Sequence, residues 1–406
     1  RRQMMEFEKF ESAMERFANT VQKSSRIEKV AITQALGRIL ASDVAAPFST
    51  PRRPTAAMDG YALKGADLSE GAKFKIIGTT PAGKMPGAAA KAGECVKTFT
   101  GGLMCEGSDT LLPIENVQVQ GGEIIVTKPV SAGFAVRAAG ESYREGELLL
   151  RGGTKLGFSQ IALLAELGLF HISVFVRPKV AILATGSEIK DLGERLENDA
   201  QIYSSNHIAL ANLVTQLGCE AMIMPLVRDD EKELEGAILS ALQSADILLT
   251  SGGVSVGDYD FVQSTLQSKF ELIVKGAAIK PGRHVRVAKT GEKYIFAFPG
   301  FPLSALITCI LFLRVYLQRS FGVRENTEFS AILDHDYVKK TPWLEFMPAV
   351  LQNRDGRLFV SLQSKKQGSS AILNNLDDDS VLLVAPLEVK ELKKGELVRV
   401  ISVPKI

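Results

Sequence analysis

The 406-residue sequence has little of what several functional classes require. It contains four cysteines and four histidines, and neither set shows metal-ligand spacing. A CxxC pair is absent, and a disulfide framework would be sparse for this length, so the cysteines indicate a reducing compartment. No histidine has a companion nucleophile, so Ser-His-Asp hydrolysis has no support. The cysteines are Cys95, Cys105, Cys219 and Cys309.

The sequence also lacks a charge excess and a long hydrophobic run. Lys and Arg number 48 against 46 Asp and Glu, which is far from the basic excess typical of nucleic-acid-binding proteins. The longest apolar run, Leu303 to Leu313, is too short to span a bilayer and predicts a buried core helix. Neither GxGxxG nor GxxxxGK[ST] falls at a strand-to-helix turn, which removes the main support for dinucleotide or P-loop folds. We therefore expect a cytoplasmic protein without nucleic-acid or membrane partners.

The chain changes character along its length, which predicts several domains. From Glu6 to Leu40 the residues predict helix, and helical periodicity returns at Ser159 to Leu167. Between Pro47 and Gly146 lie many glycines and prolines with short β-prone segments, as in a small β-rich domain. An insertion of this β-rich domain into a helical unit would explain the order.

From Lys179 the pattern becomes strand, loop and helix in repetition. Val180 to Ala184 and Ile247 to Thr250 are continuous apolar runs, which is typical of buried parallel strands. Alternation of this kind predicts a three-layer α/β domain with a mostly parallel sheet, whose ligand lies beyond the carboxyl ends of the strands. After Glu325 the β-prone segments resume, and Asn353 to Gly356 predict a hairpin turn. We expect a small C-terminal sheet or barrel.

The loop from Ser251 to Asp260 is the most informative of those that follow predicted strands. Its glycines allow backbone N–H groups to approach an oxyanion, and its hydroxyls add donors. Asp258 and Asp260 would place carboxylates beside that anion, as in many Mg²⁺ sites. The alternative is a tight turn capped by aspartate at a helix start.

Two further groups of charged residues follow predicted strands. Glu188 and Asp229, taken with Asp260, form a set of carboxylates at three strand ends, which favours a divalent-metal site over isolated caps. Lys280 and Arg283 flank a Pro-Gly turn, either as a clamp for substrate phosphate or as an ordinary surface turn.

The motifs occur in an order that resembles the molybdopterin molybdenumtransferases of molybdenum-cofactor biosynthesis, a family that includes the C-terminal domain of gephyrin. Each motif is weak alone, but the ordered set is very specific, and the similarity runs from about Ala35 to the C-terminus. The motifs are Met58 to Ala62, Thr100 to Gly102 with Glu106 to Asp109, Arg137 to Gly146, Thr185 to Glu188, Ser251 to Gly257, Lys280 to Gly282, and Pro299-Gly300 with Pro302.

The resemblance implies a multidomain α/β plus β fold with four domains. These are a discontinuous helical linker domain (1–45 and 147–178), an inserted β-rich domain (46–146), an α/β molybdopterin-binding domain (179–325) and a C-terminal β-barrel (326–406). It also implies a homodimer whose clefts combine the α/β domain of one subunit with the β-rich domain of the other. The implied reaction takes adenylylated molybdopterin and molybdate, with Mg²⁺, and yields molybdenum cofactor and AMP.

The resemblance implies roles for individual residues. Asp59, Glu188 and Asp260 would be catalytic, and Glu188, Asp229 and Asp260 would surround Mg²⁺. Phe301 stands where the family usually has asparagine, and Ser142 where it usually has aspartate, which bears on pocket polarity and the acid roles. The substrate-binding residues would be Thr100, Arg137, Ser251, Gly252, Gly253, Asp258, Lys275, Lys280, Pro299, Pro302, Ser369 and Ser370.

Two alternative functions belong to the same resemblance. A non-catalytic scaffold of the gephyrin type would use the fold for binding, but Asp59, Glu188 and Asp260 are all retained, which favours catalysis. Adenylylation of molybdopterin with ATP would need only the α/β domain, and the domains before and after it argue against that. A molybdopterin adenylyltransferase and molybdoenzyme apoproteins are the expected partners.

Overall fold

The computed structural model describes residues 7–254, 261–366, 369–376 and 380–404. The chain divides into two compact units: residues 1–41, 153–161 and 170–406 form the first, and residues 42–152 and 162–169 form the second. The α-helices of the described residues are α1 (Phe10–Thr20), α2 (Phe158–Glu166), α3 (Asn206–Gln216), α4 (Glu231–Ser244), α5 (Phe261–Lys269) and α6 (Pro302–Phe321).

The strands alternate with these helices only in the middle of the chain. The first third contains β1 (Ile27–Ala31), β2 (Val44–Ala45), β3 (Thr55–Ala56), β4 (Gly60–Leu63), β5 (Lys73–Thr80), β6 (Glu94–Thr98), β7 (Thr110–Pro113), β8 (Val117–Gln120), β9 (Glu123–Val126), β10 (Val136–Arg137) and β11 (Leu148–Leu150). The middle contains β12 (His171–Phe175), β13 (Lys179–Ala184), β14 (Ile189–Lys190), β15 (Ile202–Tyr203), β16 (Glu220–Ile223), β17 (Ile247–Ser251), β18 (Glu271–Val274), β19 (Ile279–Lys280), β20 (Arg286–Thr290) and β21 (Lys293–Phe298). The last part contains β22 (Glu328–Leu333), β23 (Tyr337–Val338), β24 (Leu344–Arg354), β25 (Arg357–Ser361), β26 (Ser380–Ala385), β27 (Glu391–Leu392) and β28 (Leu397–Ser402).

The first unit is built on a six-stranded sheet of order β16-β13-β17-β21-β20-β18. The first four strands are parallel, and β20 and β18 join as antiparallel strands at one edge. Alternate strand residues face two helical layers: Ile182 and Leu249 pack with α1, α3 and α6, whereas Leu183 and Leu248 pack with α4 and α5. The predicted three-layer α/β fold with a mostly parallel sheet is confirmed.

A closed β-barrel completes the first unit. Strands β24, β25, β22, β28 and β26 follow one another around the barrel, and a β24–β26 pairing closes it. The predicted hairpin joins β24 to β25, and both turn residues, Asp355 and Gly356, have positive φ angles of 52° and 78°. Positive φ at both central positions matches the right-handed twist of a hairpin, which is why an Asp-Gly pair serves there.

The second unit is β-rich, in agreement with its turn-rich composition. Its main sheet has the order β7-β4-β6-β5-β9-β8 and mixes antiparallel pairs with one parallel pair, β5–β6. Two short antiparallel ladders, β3–β10 and β2–β11, accompany it. The apolar core includes Tyr61, Leu63, Phe74 and Leu112, all at most 4% exposed.

The prediction of helix from Glu6 to Leu40 is wrong for most of that range. Only α1 is an α-helix there, and Glu6 lies outside the described residues. The segment Ile27–Ala31 is strand β1, which pairs antiparallel with β12 so that Ile27 lies opposite Phe175. Because the partner strand lies far along the chain, local periodicity carried no sign of this pairing.

Helix α6 is the one helix of the described residues that is long and apolar enough to cross a membrane by length and composition alone. Most of its residues are buried within the protein, and it packs against β21 and α3. It contains the run Leu303 to Leu313, every member of which except Leu306 is buried, so the predicted buried core helix is confirmed. Pro302 occupies its first turn, where the missing N–H costs nothing, and Gly322 ends it in the left-handed conformation.

Candidate active site

A cavity of about 970 Å³ lies in the first unit, beyond the carboxyl ends of the parallel strands. Strands β13, β17 and β21 end at the same level, since Ala184 lies opposite Ser251 and Ser251 opposite Phe298. The three loops that follow these strands therefore meet at one edge of the sheet. This is the position expected for a ligand in an open parallel sheet.

The loop after β13 is held by Asp229, which follows β16. The Oδ1 atom of Asp229 accepts a hydrogen bond from the Thr185 hydroxyl at 3.0 Å. Its Oδ2 atom accepts the backbone N–H and the hydroxyl of Ser187 at 3.0 and 3.1 Å. The carboxylate thus fixes the path of the chain toward Glu188. The Glu188 carboxylate folds back over Gly186, because a Cβ placed at Gly186 would lie 2.7 Å from one of its oxygens.

The loop after β17 comes too close to its neighbours to carry side chains at two positions. Gly252 has φ +99°, and a Cβ there would lie 2.5 Å from the carbonyl oxygen of Thr185. Gly253 has φ +65°, and a Cβ there would lie 2.7 Å from Val262. Only glycine adopts this conformation in so little space without strain. The backbone of the loop is consequently bare on the cavity side.

Asn206, the first residue of α3, joins two of the loops. Its side-chain amide donates hydrogen bonds to the Ser251 hydroxyl at 2.6 Å and to the Gly300 carbonyl at 2.7 Å. One amide therefore sets the separation of the loop after β17 from the loop after β21. Because the Ser251 Oγ atom accepts a hydrogen bond from the Asn206 amide, its own hydroxyl hydrogen is left to donate to an anion in the cavity.

The opposite wall combines two cations with an aromatic ring. Lys280 lies in β19, which pairs with barrel strand β24, and Arg283 follows in the next turn. The Arg283 guanidinium lies 5.9 Å from the centre of the Trp343 ring, and Trp343 is 5% exposed. The loop segment at Ser370 closes this side, where the Ser370 carbonyl accepts the N–H of Leu303 at 3.0 Å.

Two carboxylates of the described residues, Glu188 and Asp229, line the cavity. No group of three or more His, Cys, Asp or Glu side chains is arranged to hold a metal ion anywhere in the described ranges. Mg²⁺ is commonly held by one or two carboxylates together with substrate phosphates and water. The donor chemistry of Glu188 and Asp229 therefore fits a Mg²⁺ ion that is shared with a bound phosphate.

The predicted residues of the β-rich domain lie in the second unit. The Asp59 carboxylate accepts the backbone N–H and the hydroxyl of Thr100, both at 2.8 Å, and these bonds hold the pKa of Asp59 below its usual value. Arg137 donates to Glu141 at 3.1 Å and to the Ser142 hydroxyl at 3.0 Å. Asp59 and Thr100 are thus in direct contact, and Ser142 serves Arg137 as a neutral hydrogen-bond acceptor.

The cavity brings together nine of the predicted site residues: Glu188, Asp229, Ser251, Gly252, Gly253, Lys280, Pro299, Pro302 and Ser370. Ser369 lines a smaller adjoining cavity of about 60 Å³ with Lys280 and Ser370. Among the described residues, Lys275 is exposed and lines neither cavity. Asp258 and Asp260 lie outside the described residues.

Asn206, Tyr203 and Trp343 are among the lining residues of the cavity that the sequence did not predict. Asn206 begins α3, and no local pattern indicated that its side-chain amide binds two distant loops. Nothing in the sequence around Tyr203 or Trp343 indicated that either side chain lines a cavity. The ring of Trp343, the single tryptophan of the chain, reaches the cavity from the segment that precedes β24.

Comparison with known proteins gives the same assignment along most of the chain. Residues 8–168 match a family described as MoeA N-terminal region (domain I and II), and residues 181–319 match a probable molybdopterin binding domain. A molybdopterin molybdenumtransferase from Nostoc sp. (strain PCC 7120 / SAG 25.82 / UTEX 2576) is 32% identical over 389 residues, covering 93% of this chain and 89% of the relative. The chain belongs to the molybdopterin molybdenumtransferase family.

Other members of this family agree in sequence and in structure. The molybdopterin molybdenumtransferase of Haemophilus influenzae is 28% identical and covers 93% of this chain and 94% of its own length. A structure of the Pyrococcus horikoshii molybdopterin biosynthesis MoeA protein has a TM-score of 0.81 and 32% identity, with 97% of this chain and 98% of that chain covered. Membership places the chain among the transferases of molybdenum-cofactor biosynthesis.

Proposed function

We propose that the protein is a molybdopterin molybdenumtransferase that converts adenylylated molybdopterin and molybdate into molybdenum cofactor and AMP. The observation that carries this proposal is the 970 Å³ cavity in which a bare glycine loop, a serine hydroxyl, two cations and two carboxylates converge. That combination suits a phosphoanhydride, whose charge needs donors and cations and whose metal needs carboxylates.

The residues that line the cavity have different roles, which follow from the chemistry of their side chains. The Ser251 hydroxyl and the cations Lys280 and Arg283 bind the phosphate oxygens and stabilise the negative charge that grows on them in the transition state. Glu188 and Asp229 would hold Mg²⁺, which when bound polarises the phosphoanhydride. A nucleophilic side chain is unnecessary, because an oxygen of molybdate attacks the adenylyl phosphorus. The anhydride bond then breaks with its electron pair on the molybdopterin phosphate. The attacking oxygen leaves with AMP when its bond to molybdenum breaks, and the two dithiolene thiolates of molybdopterin bind the molybdenum in its place.

The turnover experiment mixes purified protein with adenylylated molybdopterin, Mg²⁺ and increasing molybdate. We expect AMP release that depends on molybdate, and we expect Glu188→Gln to lower it by orders of magnitude, because an amide is a poor ligand for a hard cation. Asp199→Asn is the matched control, since Asp199 is exposed in the segment between β14 and β15 and does not line the cavity. Consumption of ATP with no response to molybdate would support the adenylyltransferase instead.

We further propose a homodimer in which each cleft takes Asp59, Thr100 and Arg137 from the partner subunit. The support is that Asp59 and Thr100 form a hydrogen-bonded polar pair in the second unit, and neither residue lines the cavity of the first unit in its own chain. Mixing inactive Asp59→Asn chains with inactive Glu188→Gln chains tests this proposal. If each cleft is shared between subunits, both substitutions fall in one of the two clefts of the heterodimer. The other cleft then has Asp59 and Glu188 intact, and activity returns. Heterodimers that form without activity would place both residues in one chain.

We also propose a cellular compartment and partner proteins for the enzyme. The four cysteines are buried free thiols, which supports a reducing cytoplasm. An adenylyltransferase that produces adenylylated molybdopterin would supply the substrate, and molybdoenzyme apoproteins would receive the product. Co-purification of the protein with either partner from cytoplasmic extract tests this placement, and recovery from the periplasm alone would contradict it.

A further inference from the structure

A second cavity of about 130 Å³ lies in the first unit and shares no lining residue with the candidate active site. It is enclosed by the loop before β13, the C-terminal ends of α3 and α6, and the chain after β28. We call it the basic cavity after its four cationic lining residues, which are Arg38, Lys155, Arg177 and Arg314.

The charge of the basic cavity is strongly unbalanced. Glu325 is the one carboxylate that lines the cavity with these four cations, and Arg38 is also paired with Glu28 outside the lining, so two positive charges remain in excess. The whole chain has a net charge of only +2, so this concentration is not an average property of the surface. Cations converging on a concave site raise the local concentration of anions.

Arg314 is the most deeply buried of these cations. It is 8% exposed, and one of its terminal nitrogens donates to the carbonyl of Ser402. Its Nε atom is buried and has no hydrogen-bond partner, and no carboxylate of the described residues forms an ion pair with it. Burial lowers the pKa of Arg314, with Glu325 opposing that shift from a distance. A buried guanidinium with a carbonyl as its only partner is costly, and an anion would compensate it.

Arg38 is also largely buried on the other side of the cavity, although it forms a salt bridge with Glu28 outside the lining. Its side chain is 10% exposed, and its Nη2 atom donates to the Phe175 carbonyl at 2.8 Å and contacts Glu28. Its Nε atom is also buried without a partner. Two nearly buried arginines therefore line one small cavity with part of their donor capacity unused. Lys155 and Arg177 are exposed at the rim, where they can attract an anion from solvent.

We propose that the basic cavity binds a small tetrahedral oxyanion such as inorganic phosphate. Its volume equals that of about four water molecules, which admits an oxyanion of five heavy atoms but not a nucleotide. A phosphate ester has the same recognisable group, but its organic part would lie in solvent and gain no contacts. Arginine forks match the oxygens of such an anion geometrically as well as by charge.

The experiment measures phosphate binding to the full-length protein by calorimetry, with chloride at matched ionic strength as the reference. All titrations are made in the Lys280→Gln background, which weakens anion binding in the candidate active site. We expect saturable phosphate binding. Arg177→Gln and Lys155→Gln should each raise the dissociation constant about tenfold, because each removes one charge-assisted contact. Arg319→Gln is the matched control, since Arg319 is an exposed cation of α6 outside the cavity lining and should change nothing.

Each contrary result overturns the proposal in a defined way. Absence of saturable binding, or binding that both rim variants leave unchanged, means that no oxyanion binds in the basic cavity. Binding of AMP that the rim variants weaken, without binding of phosphate, would show that an ester is the ligand, because AMP bound in the candidate active site does not respond to those variants. Because the rim variants replace exposed residues, misfolding does not obscure the comparison. A crystal soaked in selenate gives a separate readout: we expect an anomalous peak beside Arg314, and a peak confined to the candidate active site contradicts the proposal. Neither readout depends on transferase activity.

Discussion

Replacement of Asn206 by alanine should weaken the candidate active site more than it weakens the fold. The side-chain amide makes two hydrogen bonds, at 2.6 Å to Ser251 and at 2.7 Å to the Gly300 carbonyl. At about 1 kcal/mol for each bond, Asn206→Ala should lower the free energy of unfolding by about 2 kcal/mol. The protein should remain folded, since this loss is a fraction of ordinary domain stability.

The effect on activity should be larger than that loss of stability can explain. Asn206 fixes the distance between two loops that carry proposed phosphate-binding residues, and a misplacement of about 1 Å at a reacting centre can cost about 100-fold in rate. We expect kcat/KM for AMP release to fall by about 10- to 100-fold. Urea unfolding gives the stability, and the molybdate-dependent AMP assay gives the activity.

The matched control is Asn212→Ala in the same helix. The Asn212 amide donates only to the Ile208 carbonyl of α3 itself, at 2.8 Å, and the residue does not line the cavity. This variant should lose little stability and no activity. If Asn206→Ala retains full kcat/KM, or if Asn212→Ala loses as much, the bridging role of Asn206 is refuted.

Three further predictions concern the fold. Gly252→Ala should lower the free energy of unfolding by about 3 kcal/mol, because its Cβ would lie 2.5 Å from the Thr185 carbonyl oxygen at φ +99°. Gly236→Ala, at an exposed position of α4 with no atom near its Cβ, should raise it by about 0.5–1 kcal/mol. Urea titrations compare the two variants, and equal effects would contradict the packing argument. The Lys64 ammonium and the Gly65 N–H lower the pKa of Asp109 to about 2. The stabilisation of the folded state by the ionised carboxylate is therefore fully present above about pH 4 and is lost as the pH falls through about 2. Asp109→Asn should lower the free energy of unfolding by at most about 1 kcal/mol at neutral pH, because the carboxylate is 42% exposed. This difference should shrink as the pH falls through about 2 and vanish only below it, as acid unfolding curves would show. The four buried thiols should resist Ellman's reagent until denaturant is added, and rapid native reaction would contradict their burial.

Local sequence pattern predicted those parts of the fold that local chemistry decides. The apolar runs Val180 to Ala184 and Ile247 to Thr250 are buried parallel strands, because such strands are covered on both faces. The turn at Asp355 and Gly356 formed as predicted, since turn type depends on the residues themselves. Strand β1 was missed because its partner, β12, is more than a hundred residues away, and no local signal reports such a pairing.

The candidate active site also contains residues that local sequence predicts and residues whose role depends on distant contacts. Residues after strand ends, such as Glu188 and Ser251, were predicted to converge because parallel strands end at one edge of a sheet. Asn206 was missed because its role depends on contacts 45 and 94 residues along the chain. Trp343 was missed because the barrel must close before its ring can reach the cavity wall. Such residues become visible only when tertiary packing is known.

The central claim is that this chain joins molybdate insertion to cleavage of the adenylyl anhydride in one cavity. The most direct test is a single-turnover reaction of the purified protein with adenylylated molybdopterin, molybdate and Mg²⁺, in which AMP and pterin-bound molybdenum are quantified together. The account predicts one molybdenum incorporated for each AMP released, and loss of both products in Glu188→Gln. Release of AMP without incorporation of molybdenum, or incorporation without AMP, would contradict it.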